Sequence, residues 1–282
     1  MSTGLERRFE DAAALIDDAD ALVIAAGAGI GIDSGLPDFR GDDGFWRAYP
    51  ALRAARLDFR TIASPAAFRD DPARAWGFYG HRLALYRATV PHPGFAILKR
   101  WAERMPHGCS VFTSNVDGQF QKAGFDQGGI HECHGSIHHL QCMAPCCDEI
   151  WDAEGFTPEV DADRCLLLND APTCPRCGGL ARPNILMFGD GGWLAGRSDR
   201  QARRQETWLS RARRPVVLEI GAGSATPSVR LFSDEVVQHH NGRLVRINPR
   251  EAAVLHRLDI ALPCGALEAL AGIDAMRAAV KR

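Results

Sequence analysis

Two pairs of cysteines in the middle of the sequence have the spacing of a metal site. Cys174 and Cys177 form a C-x-x-C pair that two glycines follow, and Cys142 and Cys146 form a second pair upstream. Four thiolates fill the tetrahedral coordination of a zinc ion, so the pattern predicts one structural zinc rather than a catalytic one. Cys147 is close enough in the sequence to replace Cys146, and both remain candidates for the fourth ligand.

The cysteine count bears on the compartment. The nine cysteines are an odd number and most of them fall between 142 and 177, which is a poor match to the disulfide framework of a secreted protein. Cys165 is expected to be a spare thiol. A set of unrelated buried cysteines is one alternative to the zinc site. A redox-active pair is another, but no thioredoxin-like strand-to-helix context precedes Cys174.

A group of polar residues suits proton transfer and substrate positioning. An imidazole titrates near neutrality, so His134 could act as a general base. His131, His138 and His139 lie close by, and spacing alone leaves the choice among the four open. Asn115 and Asp117 follow a short apolar run, where they could position a substrate or cap a helix that starts near Gln119; both interpretations stay open.

Two glycine-rich turns each follow an apolar run. Gly27, Ala28 and Gly29 come after the first run, and Gly221, Gly223 and Ser224 come after a later one. Glycines at the carboxyl end of a strand let backbone N–H groups approach a pyrophosphate. The first turn reads G-x-G-x-G, which is not the usual dehydrogenase fingerprint, so a plain tight turn is the alternative.

The elements that must position these residues alternate along the chain. Leu5 to Ile16 has helical spacing, as do Phe95 to Arg104 and a closing segment near Ala266 to Val280. Short apolar runs between them predict strands at 21–26, 111–112, 185–188, 216–220 and 244–247. The pattern predicts an α/β fold, a Rossmann-like parallel sheet with helices on both faces.

Two stretches interrupt this alternation and predict a smaller domain. Residues 42–93 look helical and carry several aromatics, and residues 141–182 hold most of the cysteines. We expect them to form a helical insertion and a zinc-binding module. The Rossmann-like domain, with the glycine-rich turns that suit a dinucleotide, would then comprise residues 1–41, 94–140 and 183–282.

The net charge and the lengths of the apolar runs bear on which classes of partner the sequence predicts. The net charge is −2, from 33 basic and 35 acidic residues, so nothing indicates a surface for nucleic acid or an anionic membrane. No apolar run approaches the roughly 20 residues that span a bilayer, and the N-terminus is polar rather than signal-like. These features predict a soluble, cytoplasmic protein, expected to be a monomer.

Several segments together resemble one family. GAGIGIDSGLPDFRG, which starts at Gly27, resembles the first signature of the sirtuins, and TSNVDG, which starts at Thr113, resembles the second. His134-Gly135 resembles the catalytic histidine motif, and NILMFGD, which starts at Asn184, resembles the strand whose edge pairs with the substrate peptide. The resemblance runs in family order from Ala21 to about Gly265.

The resemblance implies roles for these residues. His134 would act as general base on an NAD ribose hydroxyl, with Asn115 and Asp117 as its catalytic partners. Ser114 stands where the family usually has glutamine, and Ala222-Gly223 stands where it has Thr-Ser, so those contacts are weakened. The implied cofactor-binding residues are Gly27, Ala28, Gly29, Asp38, Phe39, Arg40, Ser114, Asn115, Asp117, Gly221, Gly223, Ser224 and Asn248, and the implied peptide-binding residues are Met187, Phe188 and Gly189.

One segment bears on the acyl group. Tyr79 and Arg82 form a Tyr-x-x-Arg pair similar to that of the sirtuin subgroup that removes negatively charged acyl groups. A guanidinium and a phenol within one helical turn could bind a carboxylate. A packed aromatic beside a solvated charge is the alternative.

The implied activity is that of an NAD-dependent protein-lysine deacylase, either a deacetylase or desuccinylase-like. It would act on acylated protein lysines and release nicotinamide and O-acyl-ADP-ribose. One alternative is the same NAD cleavage with ADP-ribose delivered to a protein side chain or to water. A second is a non-catalytic NAD or ADP-ribose sensor.

Overall fold

The computed structural model describes residues 4–37, 45–46 and 48–279. Two stretches between 27 and 129 form 3-10 helices, Ala28–Ser34 and Gln127–Gly129. In chain order the strands are β1 (Ala21–Ala26), β2 (Cys109–Thr113), β3 (Ile130–Glu132), β4 (Gly135–Cys142), β5 (Ile150–Asp152), β6 (Val160–Asp161), β7 (Leu166–Leu167), β8 (Ala181–Ile185), β9 (Pro215–Ile220), β10 (Arg243–Ile247) and β11 (Ile260–Leu262). The α-helices are α1 (Gly4–Asp18), α2 (Pro50–Ala54), α3 (Phe59–Ile62), α4 (Pro65–Asp70), α5 (Pro72–Ala88), α6 (Pro93–Ala102), α7 (Gln119–Lys122), α8 (Gly196–Leu209), α9 (Ser228–His239) and α10 (Ala266–Ala279).

The centre of the fold is a six-stranded sheet in the order β11-β10-β9-β1-β2-β3, and every neighbouring pair is parallel. All six residues of β1 are buried. Their side chains alternate between two cores: Leu22 and Ile24 pack with α1, α6 and α10, while Val23 packs with α8 and α9. A strand covered on both faces needs an unbroken apolar run, which explains why the sequence of β1 predicts it so directly.

The order in which the chain adds strands to the sheet reverses at β1. It builds outward through β2 and β3, then returns to pair β9 with the opposite edge of β1. Parallel sheets bind ligands in the crevice at such a switch point, outside the carboxyl ends of the strands. The two predicted glycine-rich turns follow β1 and β9 and so meet at this crevice.

The predicted insertions share one separate core. Trp76, Phe78 and Tyr79 of α5 pack with residues of β4 and β8, and β4 is the central strand of an antiparallel sheet in the order β5-β4-β8. The indole Nε1 of Trp76 donates to the Ala181 carbonyl of β8 at 3.0 Å, which ties the helical insertion to the cysteine-rich one. The expected domain limits near 140 and 182 fall within β4 and β8 and remain predictions.

Several boundaries differ from the sequence prediction by one or two residues, and one predicted strand is misplaced. The helix expected over 95–104 spans Pro93–Ala102. The strand expected over 185–188 is wrong, because β8 ends at Ile185 and a turn follows. The carboxylate of Asp190 makes this turn: it accepts the backbone N–H of Met187 and of Gly192 and forms a buried ion pair with Arg182.

No helix within the described ranges is both long and apolar enough to cross a bilayer.

Candidate active site and zinc site

The two glycine-rich loops at the crevice are in backbone contact. The Gly29 N–H donates to the Gly221 carbonyl at 3.0 Å, and a Cβ on Gly29 would lie 2.6 Å from the Gly221 Cα. Gly221 has φ +65, a conformation that strains any other residue. A Cβ on Gly223, by contrast, would meet open space. Gly29 and Gly221 are therefore required to let the loops meet. This packing explains the two glycines independently of the approach of a pyrophosphate.

The loop after β2 is fastened to the end of β1. Thr113 donates its hydroxyl to the Ala26 carbonyl at 3.0 Å, and the Ser114 N–H donates to the same oxygen at 3.2 Å. The Asn115 side chain donates from Nδ2 to the Gly27 carbonyl at 3.0 Å. Asn115 thus lies directly against the first glycine-rich loop, as its predicted role requires.

Asp117 bonds the start of a helix and is also a buried carboxyl. Its Oδ1 accepts the backbone N–H of Gln119, the first residue of α7, at 3.0 Å, although the N-cap residue of that helix is Gly118. Burial raises the pKa of this carboxyl to about 6, against the Gln119 bond and the Arg82 charge, which both lower it. Functional sites often contain a carboxyl group in a cleft whose charged form is disfavoured by burial. The bond to Gln119 and a catalytic role are therefore compatible here.

His134 lies where the carboxyl ends of three strands converge. It donates a hydrogen bond to the backbone of Ser114, and its Nε2 lies 3.1 Å from the hydroxyl of Ser228. Burial lowers the pKa of the imidazole, which keeps it neutral and able to accept a proton. Gly135 follows with φ +79, and a Cβ there would lie 2.0 Å from the Asn184 carbonyl, which explains the glycine of the His-Gly pair.

The other three histidines have different surroundings. His131 contacts Gln205 through Nδ1 and Ser198 through Nε2. His138 bonds the Asp117 carbonyl through Nε2 at 2.9 Å, and His139 lines a separate cleft beside α8. Of the four, His134 is the one that contacts both Ser114, which follows β2, and Ser228, which begins α9.

Ser228 is a site residue that the sequence did not indicate. It is the first residue of α9 and lies 94 positions after His134. No periodicity or motif links two such positions, so only the fold reveals the contact.

Asn248 bonds the second glycine-rich loop and the residues that follow β10. The side chain is fully buried; Nδ2 donates to the Ala222 carbonyl at 2.8 Å, and Oδ1 accepts the N–H groups of Arg250 and Glu251. Asn248 thus stabilises the second glycine-rich loop through the Ala222 carbonyl. Its contact with a ribose stays a prediction. Ser224, in the same loop, is exposed and donates its N–H to the Glu251 carboxylate.

Tyr79 and Arg82 are both buried, at 1% and 8% exposure. The solvated charge considered for Arg82 is therefore wrong. Its guanidinium donates to the Tyr86 hydroxyl at 2.7 and 2.9 Å and lies against the rings of Phe78, Tyr79 and Tyr86. Its charge reaches Asp117, so the pair lies near the proposed site.

The predicted peptide-binding residues lie in the turn after β8. Phe188 is 37% exposed, and Met187 is buried against the core of the small domain. The Phe188 N–H donates to the Ala63 carbonyl, and the Met187 N–H is taken by Asp190. Those two donors are internally bonded in this structure, while Leu186 beside them is 40% exposed.

The cysteine cluster has the geometry of a tetrathiolate site. The Sγ atoms of Cys142, Cys146, Cys174 and Cys177 all lie within 4.8 Å of one another, with Cys142–Cys177 at 3.7 Å and Cys146–Cys174 at 3.6 Å. Zinc–sulfur bonds of about 2.3 Å place tetrahedral sulfurs about 3.8 Å apart, so the four residues fit a zinc ion. Cys147 Sγ lies 3.8 Å from Cys146 but outside the cluster, and Cys165 belongs to the core around α5.

Three predicted cofactor residues, Asp38, Phe39 and Arg40, lie outside the described residues.

Comparisons with known proteins agree with this geometry. Residues 27–202 match the model of the Sir2 family. The chain is 30% identical over 244 residues to NAD-dependent protein deacylase 1 of Pseudomonas aeruginosa, covering 86% of this chain and 88% of the relative. It is 32% identical over 230 residues to the NAD-dependent protein deacylase of Pyrococcus furiosus, covering 81% of each.

A solved Sir2 homologue in complex with NAD superimposes with a TM-score of 0.68 at 25% identity, covering 96% of this chain and 94% of that one. The crevice, the His-Gly pair and the four-cysteine cluster therefore have a common explanation: the chain belongs to the Sir2 family.

Proposed function

We propose that this chain is an NAD-dependent protein-lysine deacylase. The observation that supports it most directly is the placement of a neutral, half-buried His134 at the switch point of the sheet, beside Asn115 and two glycine-rich loops. The relatives are named protein deacylases, and we take acylated lysines of proteins as the substrates. Cytoplasmic location and a monomeric state stay predictions from composition.

When bound, NAD supplies a ribose carbon that receives the acyl oxygen and nicotinamide as the leaving group. The chain's residues orient the reactants and move protons around that centre. With one ring N–H donated to the Ser114 backbone, a neutral His134 keeps a lone pair on its other ring nitrogen, which we assign to Nε2 and which takes a proton from a ribose hydroxyl. Asn115 uses Nδ2 on the Gly27 carbonyl, which leaves its side-chain oxygen oriented to accept from a carboxamide.

The preferred acyl group is one that ends in a carboxylate. Arg82 brings a buried positive charge into an aromatic core that also contains Val116, next to Asn115 and Asp117. A guanidinium in such surroundings is little screened by water and forms strong bonds to a carboxylate. The adjoining Tyr79 ring is in the same core, and its hydroxyl is a second donor of the right kind.

A peptide panel tests both levels of the proposal. The zinc-loaded enzyme is incubated with NAD and matched acetyl-, succinyl- and glutaryl-lysine peptides, and deacylated peptide and nicotinamide are measured by mass spectrometry. We expect faster turnover of the two acidic peptides. Arg82→Met should lower the succinyl-to-acetyl ratio at least about tenfold, since a hydrogen bond to a charged group contributes about 1.5–3 kcal/mol. Tyr79→Phe should lower it less.

The ratio is measured within one preparation, so partial misfolding of a variant cancels. Equal losses on acetyl and succinyl peptides would refute the acidic preference and leave deacylation standing. Nicotinamide release without peptide, or ADP-ribose attached to protein, would instead support NAD hydrolysis or ADP-ribosyl transfer.

A further inference from the structure

The general base has one side-chain hydrogen-bond partner among the described residues, and it comes from the far side of the crevice. Ser228 Oγ lies 3.1 Å from His134 Nε2, the nitrogen that must receive the proton. Ser228 begins α9, which follows the second glycine-rich loop, whereas His134 follows β3. The contact therefore joins the two halves of the sheet across the cofactor crevice.

Whether Nε2 donates or accepts in this contact depends on which ring nitrogen carries the proton. The Ser114 carbonyl can only accept, and Nε2 is the nitrogen that faces Ser228, so we assign the donated N–H to Nδ1 and the acceptor role to Nε2. The Ser228 hydroxyl must then donate to Nε2. Such a bond stabilises the neutral imidazole and also sets the ring plane between two fixed points, the Ser114 backbone and the start of α9.

The helix adds to the same effect. α9 runs for 12 residues, and its N-terminal end, with Ser228 in its first turn, faces the imidazole. The positive end of a helix dipole disfavours a nearby imidazolium. Among the residues that the structure describes, none places a charge that shifts His134 electrostatically, so burial, Ser114, Ser228 and this helix end form its surroundings.

From this geometry we infer that Ser228 is a positioning residue for the proposed deacylation: it orients His134 and keeps its Nε2 free of a proton until a ribose hydroxyl binds. A hydroxyl suits this role because it donates to the neutral ring and can rotate to accept from the protonated one. Once the ribose proton has moved to Nε2, the Ser228 oxygen becomes its acceptor. No proton is created or lost in this exchange.

Ser228→Ala removes the hydroxyl and nothing else. We expect kcat to fall about 10- to 100-fold, a part of what a general base contributes, while the dissociation constant for NAD stays within about twofold. The acid limb of the kcat/KM profile should move to higher pH, because the neutral imidazole has lost a donor. Ser228→Thr should restore both kcat and the profile.

Thr226→Ala is the matched control, since it removes an exposed hydroxyl from the same loop and should change nothing. The titration of the His134 imidazole, followed by NMR in wild type and Ser228→Ala, gives a readout that does not depend on the reaction catalysed. A higher His134 pKa in the variant supports the inference even if the enzyme proves to hydrolyse NAD. An unchanged titration, or a kcat loss with an unmoved pH profile, would overturn it.

Discussion

At the scale of single residues, local chemistry was visible in the sequence and long-range contacts were not. His134 could be chosen from four histidines by its following glycine, and the structure explains that glycine by the close approach of Asn184. Ser228 and the buried bonds of Asn248 carried no signal, because their partners lie in other elements. Cys146 could be separated from Cys147 only by the positions of their sulfurs.

We expect the buried carboxyl of Asp117 to lower the free energy of unfolding at neutral pH while it serves the reaction. Its pKa rises from 3.8 to about 6, so the native state binds this proton more tightly than the unfolded chain does. Stability therefore falls as the pH rises between these values, and the ionised group costs up to about 3 kcal/mol at neutral pH. We expect Asp117→Asn to raise the free energy of unfolding at neutral pH, measured with urea, while deacylation drops at least about tenfold.

The gain from Asp117→Asn should shrink as the pH is lowered and vanish below about pH 4, where the wild-type carboxyl is protonated in both states. Asp126→Asn is a matched control, because Asp126 also accepts a backbone N–H but is exposed. It should lack the gain at neutral pH. A less stable Asp117→Asn at neutral pH would show that the Gln119 bond outweighs the cost of burial.

At the scale of elements, burial on both faces made the central strands predictable. β1 is an unbroken apolar run and β9 and β10 are mostly apolar, because helices cover both sides of the sheet; the buried exceptions, Glu219 and Arg246, form an ion pair with each other. The strand prediction for 185–188 failed because hydrophobicity does not separate a strand from a turn when every residue is apolar. What separates them is the buried Arg182–Asp190 ion pair, whose effect on Met187 cannot be inferred from hydrophobicity.

The contact between the two glycine-rich loops makes Gly29 sensitive to one added methyl group. In Gly29→Ala the Cβ would lie 2.6 Å from the Gly221 backbone, so the loops must separate. Overpacking of this kind costs about 1–3 kcal/mol. We expect a lower melting temperature and NAD binding weakened at least about tenfold by calorimetry. Gly191→Ala, whose Cβ would meet no atom within 4 Å, should match wild type. Unchanged NAD affinity in Gly29→Ala would mean that the crevice tolerates the shift.

At the scale of the whole molecule, one strand connects the metal site to the base. β4 begins at Gly135, next to His134, and ends at the zinc ligand Cys142. A structural zinc contributes folding energy to the module that holds it. We expect Cys146→Ser to lose zinc and to unfold at a clearly lower temperature, with deacylation lost through the disorder of β4.

Cys147→Ser provides the control for the zinc assignment. It removes a neighbouring thiol that lies outside the cluster, so the variant should keep one zinc per chain, by elemental analysis, and wild-type melting. The reverse pattern, with zinc retained in Cys146→Ser and lost in Cys147→Ser, would exchange the two ligands.

The central place of β1 has a consequence for synthesis on the ribosome. This strand emerges early, yet one of its two partners, β9, comes from far later in the chain. Until Pro215–Ile220 has left the exit tunnel, the apolar segment ALVIAA has an open edge, and the cofactor crevice cannot exist. Nascent chains of this protein therefore pass through a long interval in which an apolar strand edge is unpaired, the condition under which aggregation competes with folding.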